Sequence, residues 1–154
     1  MSFDSILSLI TAFSAVVQAV FIVVSIIYIN RQFGIIRACS YIERFNSHEN
    51  ICRRGIVDRW LKSSDDPEAL IKSFEEDTVL QADVLGFINL FQELGVAYLR
   101  HSVHKRTITE TFDFLVPHYW NQVKFLIEHL RDRRHSPTMY HKFEFMAERL
   151  SRSD

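Results

Sequence analysis

The chain has 154 residues, of which 24% are charged and 47% are hydrophobic, an average that is typical of an ordinary folded protein. The average hides one long gap, because no charged residue occurs between Asp4 and Arg31. That gap excludes a simple soluble globule. The net charge of −1 argues against a protein that binds nucleic acid by phosphate attraction, and two cysteines exclude a disulfide scaffold.

Residues 6–29 are predicted to form a transmembrane helix. Nineteen of these 24 residues are apolar, and a helix of this length spans about 36 Å, against a hydrocarbon core of about 30 Å. A cleaved signal peptide is one alternative, and it is disfavoured because residues 1–5 contain no Lys or Arg. A buried core helix is the other, and a chain of this size has little core in which to hide a helix that is apolar on every side.

The basic residues predict the orientation of the span. All 18 Lys and Arg residues follow it, so the positive-inside rule places residues 1–5 outside and the C-terminal part in the cytoplasm, as in a single-pass protein of the cell inner membrane. Cys39 and Cys52 are then expected to be free thiols. Residues 31–62 hold seven basic and three acidic residues, a bias that anionic lipid would attract but that topology and ordinary surface charge also explain.

A polar stripe of small and polar residues follows the predicted span with a period of 3.5 residues. In lipid, small residues let two helices approach and polar residues form hydrogen bonds across the contact, so we predict that the stripe contacts another membrane helix. Gln18 strengthens the prediction, because an unpaired amide near the middle of a bilayer is costly. The alternative is a plain anchor. The period passes through Asp4 and Ile22, and the predicted contact residues, which we call the polar stripe, are Ser8, Thr11, Ala15, Gln18 and Ser25.

The rest of the chain is predicted to be all-α. It lacks long period-two alternation and Asn-Gly or Asp-Gly hairpin signals. We therefore expect one N-terminal transmembrane helix followed by a cytoplasmic bundle of about four to five helices. Residues 30–62 would form juxtamembrane helices and residues 63–154 the cytoplasmic domain. The span is expected to continue as a helix to Phe45, with Gly34 as a weak point.

Local signals predict where the next helices begin. Asn46, with Glu49 three residues later, resembles a capping box that opens a helix ending near Lys62. Asp66, followed by Pro67, is suited to cap a short helix.

The strongest helical stripe lies between residues 80 and 98, where apolar residues recur at spacings of three and four. Gly86 and Gly95 lie inside it and each costs about 1 kcal/mol relative to Ala, which close packing by a neighbouring helix would explain. The apolar residues of this stripe are Leu80, Val84, Phe87, Ile88, Phe91, Leu94 and Tyr98.

Two further helix starts are predicted. Thr107 and Glu110 form a second capping box, opening a helix that reaches Leu130 and that Pro117 should kink or split. The last helix is expected to start at residues 136–137. The numerous aromatic residues recur at helical spacing beside Leu and Val, and we interpret them as core.

No motif in the chain predicts catalysis, a cofactor or a metal site. His101 and His104 have a spacing that suits a metal ligand pair, but Lys105 and Arg106 follow them and would repel a cation, so a solvated helix end is favoured. Phosphate-loop, dinucleotide and hydrolase motifs are absent from the sequence. An enzyme site in the helical part stays open, and its residues would be Glu93, Arg100, His118 and Tyr119.

Four segments carry a resemblance to a known family: SYIERFNSHEN at 40–50, FINLFQELGVAYLRHSV at 87–103, HYWNQVKFLIEHLR at 118–131 and MYHKFEFMAERL at 139–150. With the leading span, the chain resembles an uncharacterised family of small bacterial membrane-anchored proteins, known only as a domain of unknown function. The resemblance implies a bacterial or phage origin and a cytoplasmic helical domain behind one span. It implies no active site.

These patterns predict a non-enzymatic, single-pass membrane protein. Its partners would be the lipid bilayer and either a second copy of the chain or another membrane protein, with no nucleic acid. The alternative is an oligomeric membrane effector or small channel whose span packs through the polar stripe, and an enzyme comes third.

Overall fold

A computed structural model describes residues 3–152, except for the side chains of residues 3–7 and 9. Within residues 3–152 there are seven helices and no strand, which confirms the all-α prediction. The helices are α1 (Phe3–Phe45), α2 (His48–Leu61), α3 (Pro67–Glu76), α4 (Thr78–Leu99), α5 (Lys105–Phe112), α6 (Leu115–Arg133) and α7 (His141–Ser151).

The first helix is a single unbroken element of 43 residues. The expected weak point at Gly34 does not interrupt it. Among the described residues, α1 is the one helix long and apolar enough to cross a membrane, and no residue of its most apolar window is buried in the bundle. Only the C-terminal part of α1 packs against other helices, where Ala38 is fully buried and Phe45 is 4% exposed.

The turn from α1 to α2 differs by one residue from the prediction. Ser47, not Asn46, caps α2, and its hydroxyl oxygen accepts from the main-chain N–H of Asn50. The buried side chain of Asn50 also donates to the carbonyl oxygen of Arg44 at 2.7 Å. Asn50 thereby supplies a hydrogen-bond donor to a main-chain carbonyl group at the C-terminal end of α1. The capping pattern alone does not predict this interaction.

The short helix α3 begins as predicted. A carboxylate oxygen of Asp66 accepts from the N–H of Glu68 at 3.0 Å, and Pro67 occupies the first turn, where its missing N–H is not needed. The indole N–H of Trp60 donates to the carbonyl oxygen of Leu70 at 3.2 Å. This contact joins the end of α2 to α3.

The central helix is α4, which contacts α2, α3 and α7. The predicted apolar stripe is buried, apart from Leu80, which is half-buried. The prediction of close packing is confirmed at Gly95, where a Cβ would lie 2.4 Å from the carbonyl oxygen of Lys142 at the start of α7. At Gly86 a Cβ would lie 3.3 Å from the guanidinium group of Arg53.

The predicted helix start at Thr107 is wrong. Helix α5 begins at Lys105, and the hydroxyl of Thr107 lies 2.9 Å from Nδ1 of His104, so this threonine stabilises a turn that has already begun. The predicted break at Pro117 is confirmed. Helix α5 ends at Phe112 and α6 begins at Leu115, which places Pro117 in the first turn of α6, where its missing N–H costs no intrahelical hydrogen bond. The bundle after α1 therefore has six helices rather than the expected four to five.

The last helix begins at His141, later than the expected start at residues 136–137. Tyr140 takes a left-handed conformation with φ of 57°, which interrupts a helix that would start earlier. Arg131 of α6 donates to the carbonyl oxygen of Met139 at 2.9 Å and fixes this turn.

Aromatic rings join the helices in the core, as predicted. The ring of Phe45 in α1 lies edge-on to Phe112 of α5, with ring centroids 5.3 Å apart, and 6.0 Å from Phe91 of α4. Phe91 in turn stacks on Phe143 of α7 at 4.9 Å. The C-terminal part of α1 is thus an integral member of the bundle.

Candidate functional site

The polar stripe lies on the part of α1 that the bundle leaves uncovered. Four of its residues are exposed, and Ser25 is half-exposed. At about 100° per residue, the five residues project onto an arc of about 100°. Asp4, which begins the same period, has its side chain outside the described residues. The stripe is therefore one continuous surface along α1.

The stripe faces away from the bundle. Gly34, Ala38 and Phe45 of α1 lie directly against the bundle, with Tyr41 and Ile42 half-buried beside them. Arg37 and Arg44 reach the bundle through their long side chains. Along a regular helix, the mean direction of Gly34, Ala38 and Phe45 is about 150° around the axis from the centre of the stripe. A second helix can therefore pack along the stripe without meeting the bundle.

Two exposed apolar residues lie on the same side of α1 as the polar stripe, but beyond the end of the predicted span. Phe33 is 54% exposed and Ile36 is 61% exposed. Both project close to the arc of the polar stripe. The uncovered surface on this side of α1 therefore reaches several residues past Ile29.

The loop between α4 and α5, residues 100–104, is attached directly to α1. The N–H of His104 donates to the carbonyl oxygen of Gly34 at 2.9 Å, and Arg37 donates to the carbonyl oxygen of Ser102 at 3.5 Å. A Cβ at Gly34 would lie 3.4 Å from the His104 nitrogen, at ordinary van der Waals contact, so the loop packs directly on the backbone of α1. We call residues 100–104 the junction loop.

Helix α5 runs beside α1 from the junction loop towards the core. It begins next to Gly34, and its last residue, Phe112, packs on Phe45. Its first turn, with Lys105 and Arg106, therefore lies at the end of the bundle that is nearest the apolar part of α1. Residues some 70 positions apart in the chain meet here.

The charged residues in this region have one sign. Segments 30–42 and 99–109 contain five basic residues and no acidic residue, whereas segments 43–98 and 110–154 contain 13 basic and 18 acidic residues. The fold thus brings together two segments that contain basic residues and no acidic residue. We call the five cationic residues the basic face, and they are Arg31, Arg37, Arg100, Lys105 and Arg106.

Most of the basic face lacks an acidic partner. The ammonium group of Lys105 lies 5.2 Å from the ring centroid of Tyr98 and 3.2 Å from Nε2 of His101. Arg106 pairs with Glu110 at 2.8 Å, but both side chains are exposed, and such pairs contribute little stability. Among the described residues, no carboxylate forms an ion pair with the other four members of the face.

A cleft of about 370 Å³ lies between α1 and the junction loop. Within it, Arg44 forms an ion pair with Glu93, so that its charge is balanced, whereas Arg37 has no carboxylate partner among the described residues. Cations and hydroxyl groups are the donors that suit an anionic oxygen. The cleft is lined by Arg37, Ser40, Tyr41, Arg44 and Ser102.

The histidines of the junction loop have partners other than a metal. His101 contacts Lys105, and Nδ1 of His104 contacts the hydroxyl of Thr107. Within the part of the chain that the structure describes, no group of three or more His, Cys, Asp or Glu side chains is placed to hold a metal ion. Cys39 and Cys52 are exposed and free.

The residues of the open enzyme hypothesis do not form one cluster. Glu93 pairs with Arg44 beside α1, and Arg100 belongs to the basic face. The hydroxyl of Tyr119 donates to a carboxylate oxygen of Asp58, across the interface between α6 and α2, at 3.1 Å.

Only His118 and Tyr119 of that set lie together, with ring centroids 5.3 Å apart. Burial, and then the negative charge of Asp58, raises the pKa of Tyr119 to about 12. Tyr119 therefore keeps its proton near neutral pH and acts as a hydrogen-bond donor rather than as a base.

Sequence reasoning missed the basic face. The sequence pattern favours a solvated helix end for residues 101–106, because nothing local connects them to α1. The available signal was the absence of Asp and Glu from segments 30–42 and 99–109, in a chain where acidic residues are otherwise frequent.

Comparison with known proteins identifies a family but no function. Residues 11–150 match the family described as a domain of unknown function, DUF4760, and the chain belongs to it. The match includes most of the apolar part of α1 as well as the bundle. No curated protein and no solved structure matches the chain.

Proposed function

We propose that the chain is a single-pass protein of the bacterial inner membrane that acts by self-association rather than by catalysis. Its N-terminus lies outside, and its helical bundle lies in the cytoplasm. The observation that carries the proposal is the apolar surface of α1, which the bundle leaves uncovered. The position of every Lys and Arg after residue 29 supports the orientation.

The uncovered apolar surface is far larger than a soluble monomer tolerates. Between residues 10 and 36, 15 large apolar side chains are each 48–74% exposed. Contiguous exposed apolar patches on soluble proteins rarely exceed a few hundred Å². A lipid bilayer covers such a helix on all sides, and α1 is long enough to cross it.

The polar stripe supports self-association through α1. A single span has no second helix of its own chain to pack against in the membrane. Pairing two copies along the stripe gives the amide of Gln18 a polar partner and lets small residues such as Ala15 bring the helices close together. Because the stripe faces away from the bundle, the two bundles then lie on the outer sides of the pair.

The exposed side chains of Phe33 and Ile36 extend this contact beyond the predicted span. On an isolated helix they would face lipid headgroups or water. In the proposed pair they pack against each other, in continuation of the stripe.

Cysteine crosslinking of the full chain in membranes tests the pairing. In a Cys39→Ser, Cys52→Ser background, Ile36→Cys places a thiol on the stripe side, and Arg31→Cys places one about 140° away around the helix. We expect oxidation to give a disulfide-linked dimer several-fold more efficiently at position 36. Equal yields at both positions, or no dimer at either, would contradict pairing through the stripe.

The same membranes test the anchor. We expect the chain to stay in the membrane at alkaline pH and to retain its N-terminal residues by intact mass. A mature chain shortened by about 30 residues would indicate a signal peptide instead.

A further inference from the structure

We propose that the basic face binds the headgroups of anionic phospholipids in the membrane that α1 crosses. This inference rests on the proposed function, because it requires α1 to span the bilayer. It adds a ligand class and a second membrane contact, made by the bundle itself.

The position of the junction loop along α1 is the first step. At about 1.5 Å per residue, Arg31 lies about 3 Å beyond Ile29, Gly34 about 7.5 Å and Arg37 about 12 Å. The headgroup layer on each side of a bilayer is about 5–8 Å thick. The hydrogen bond between Gly34 and His104 therefore holds the junction loop at the outer edge of the headgroups.

The charges at that level are the second step. Arg31, Arg37 and Arg100 are exposed and carry no carboxylate partner among the described residues. Long basic side chains extend their charged ends towards a membrane surface from a short distance away. Arg31 lies within the headgroup layer and Arg37 a few ångström beyond it, so their long side chains can reach lipid phosphates without any rearrangement of the bundle.

The start of α5 gives a third, separate reason. Lys105 and Arg106 lie in its first turn, which contains no acidic residue, and no side chain caps it. A helix N-terminus disfavours cations, so the dipole of α5 opposes both charges, and the exposed pair of Arg106 with Glu110 offsets little of this. An anion supplied from outside would offset both the helix dipole and the two charges.

The cleft beside the junction loop completes the surface. Arg37 is the cation in this cleft that has no carboxylate partner among the described residues. Ser40 and Tyr41, one turn further along α1, contribute hydroxyl groups to the same cleft. This arrangement offers one charged donor and two neutral donors to a phosphate group. A headgroup at the mouth of the cleft contacts α1 and the junction loop together.

Lipid titration of the purified full chain tests the proposal. In a neutral detergent, native mass spectrometry reports binding of added phosphatidylglycerol or phosphatidylcholine. We expect phosphatidylglycerol to bind at least about ten-fold more tightly. Each basic residue near an anionic surface corresponds to about five-fold in affinity, so Arg100→Gln with Arg106→Gln should weaken phosphatidylglycerol binding by up to about 30-fold.

The matched control removes the same charge from another part of the bundle. Arg59 and Lys62 are exposed at the end of α2. Helix α2 contacts α4 at Gly86, about 21 Å along α4 from Arg100. We expect Arg59→Gln with Lys62→Gln to leave phosphatidylglycerol binding within two-fold of wild type, and Arg100→Lys with Arg106→Lys to retain most of it.

The outcomes separate this inference from the proposed function. A wild-type chain that alkaline carbonate releases from liposomes would overturn both. A chain that stays in the liposomes but binds the two lipids equally would overturn the lipid site alone. Equal losses in the two Gln double variants, or complete displacement of phosphatidylglycerol by 10 mM inorganic phosphate, would also overturn it.

Discussion

Gly95 of α4 lies against the carbonyl group of Lys142, so closely that a Cβ on Gly95 would be 2.4 Å from its oxygen. The backbones of α4 and α7 are therefore in direct contact at this point. The contact explains why the most apolar helix of the bundle contains a glycine that costs about 1 kcal/mol in helix propensity. A substitution at Gly95 therefore tests how closely α4 and α7 pack.

Gly95→Ala should destabilise the bundle by about 1–3 kcal/mol, because the new methyl group must push backbone apart and overpacking outweighs the gain in helix propensity. Chemical denaturation of the full chain in detergent measures the free energy of unfolding. Gly55→Ala is the matched control, since a Cβ at Gly55 in α2 meets nothing within 4 Å. It should raise stability by up to about 1 kcal/mol. If Gly95→Ala is as stable as Gly55→Ala, the close contact is absent.

Tyr119 should make the stability fall at alkaline pH. Burial and Asp58 raise its pKa to about 12, against an ordinary value of about 10 for an unfolded chain. The unfolded chain thus loses this proton first, so the contribution is complete below about pH 10 and is lost as the pH rises to about 12. The decline amounts to roughly 2–3 kcal/mol.

The measurement compares the free energy of unfolding of wild type and Tyr119→Phe across that range of pH. The variant lacks the titrating hydroxyl, while every other tyrosine is common to both proteins. Parallel curves would show that the pKa of Tyr119 is not raised by the fold.

Protease added to intact spheroplasts should leave the bundle whole, because the distribution of Lys and Arg predicts that it is cytoplasmic. An antibody against a C-terminal tag detects the surviving fragment, and lysed spheroplasts provide the control for cleavage. Degradation of the bundle in intact spheroplasts would reverse the predicted orientation.

Gln18→Leu should weaken association of the span by a factor of roughly 3 to 30, since a hydrogen bond between helices in a membrane contributes about 0.6 kcal/mol and up to about 2 kcal/mol. Ala15→Ile should also weaken it, by separating the helices. Val16→Ile, on the opposite side, is the control and should change little. A membrane two-hybrid reporter compares the three. Equal losses from both sides would show that the stripe does not direct the contact.

The sequence predicts those features that are set by neighbouring residues. Asp66 and Pro67 specify the start of α3 by themselves, because the cap and the fixed φ of proline act within one turn. The apolar spacing of α4 likewise predicts its buried side, because the period of a helix is fixed. The N-cap of α2 is Ser47 rather than the predicted Asn46. The choice between the two depends on the hydrogen bond from buried Asn50 to the end of α1, which is a contact between two helices.

The basic face forms only through tertiary contacts between distant segments, so the sequence alone does not predict it. The sequence shows Arg31 and Arg37 as a topology signal, whereas it favours an ordinary solvated helix end for Lys105 and Arg106. The hydrogen bonds from His104 to Gly34 and from Arg37 to Ser102, together with the packing of Phe112 on Phe45, bring the two groups together. No local pattern encodes a main-chain contact across 70 residues.

Helix α1 continues without a break from its apolar part to Phe45. It therefore transmits rotation about its axis from one end to the other. Because the bundle is fixed to α1 at Gly34, Ala38 and Phe45, a rotation of the apolar part of α1 about its axis turns the bundle by the same angle. Deleting or inserting one residue between Ile29 and Gly34 would swing the bundle by about 100° around the axis while moving it only about 1.5 Å along the axis. The direction in which the bundle points is therefore set by the rotational phase of the apolar part of α1, which lies outside the bundle.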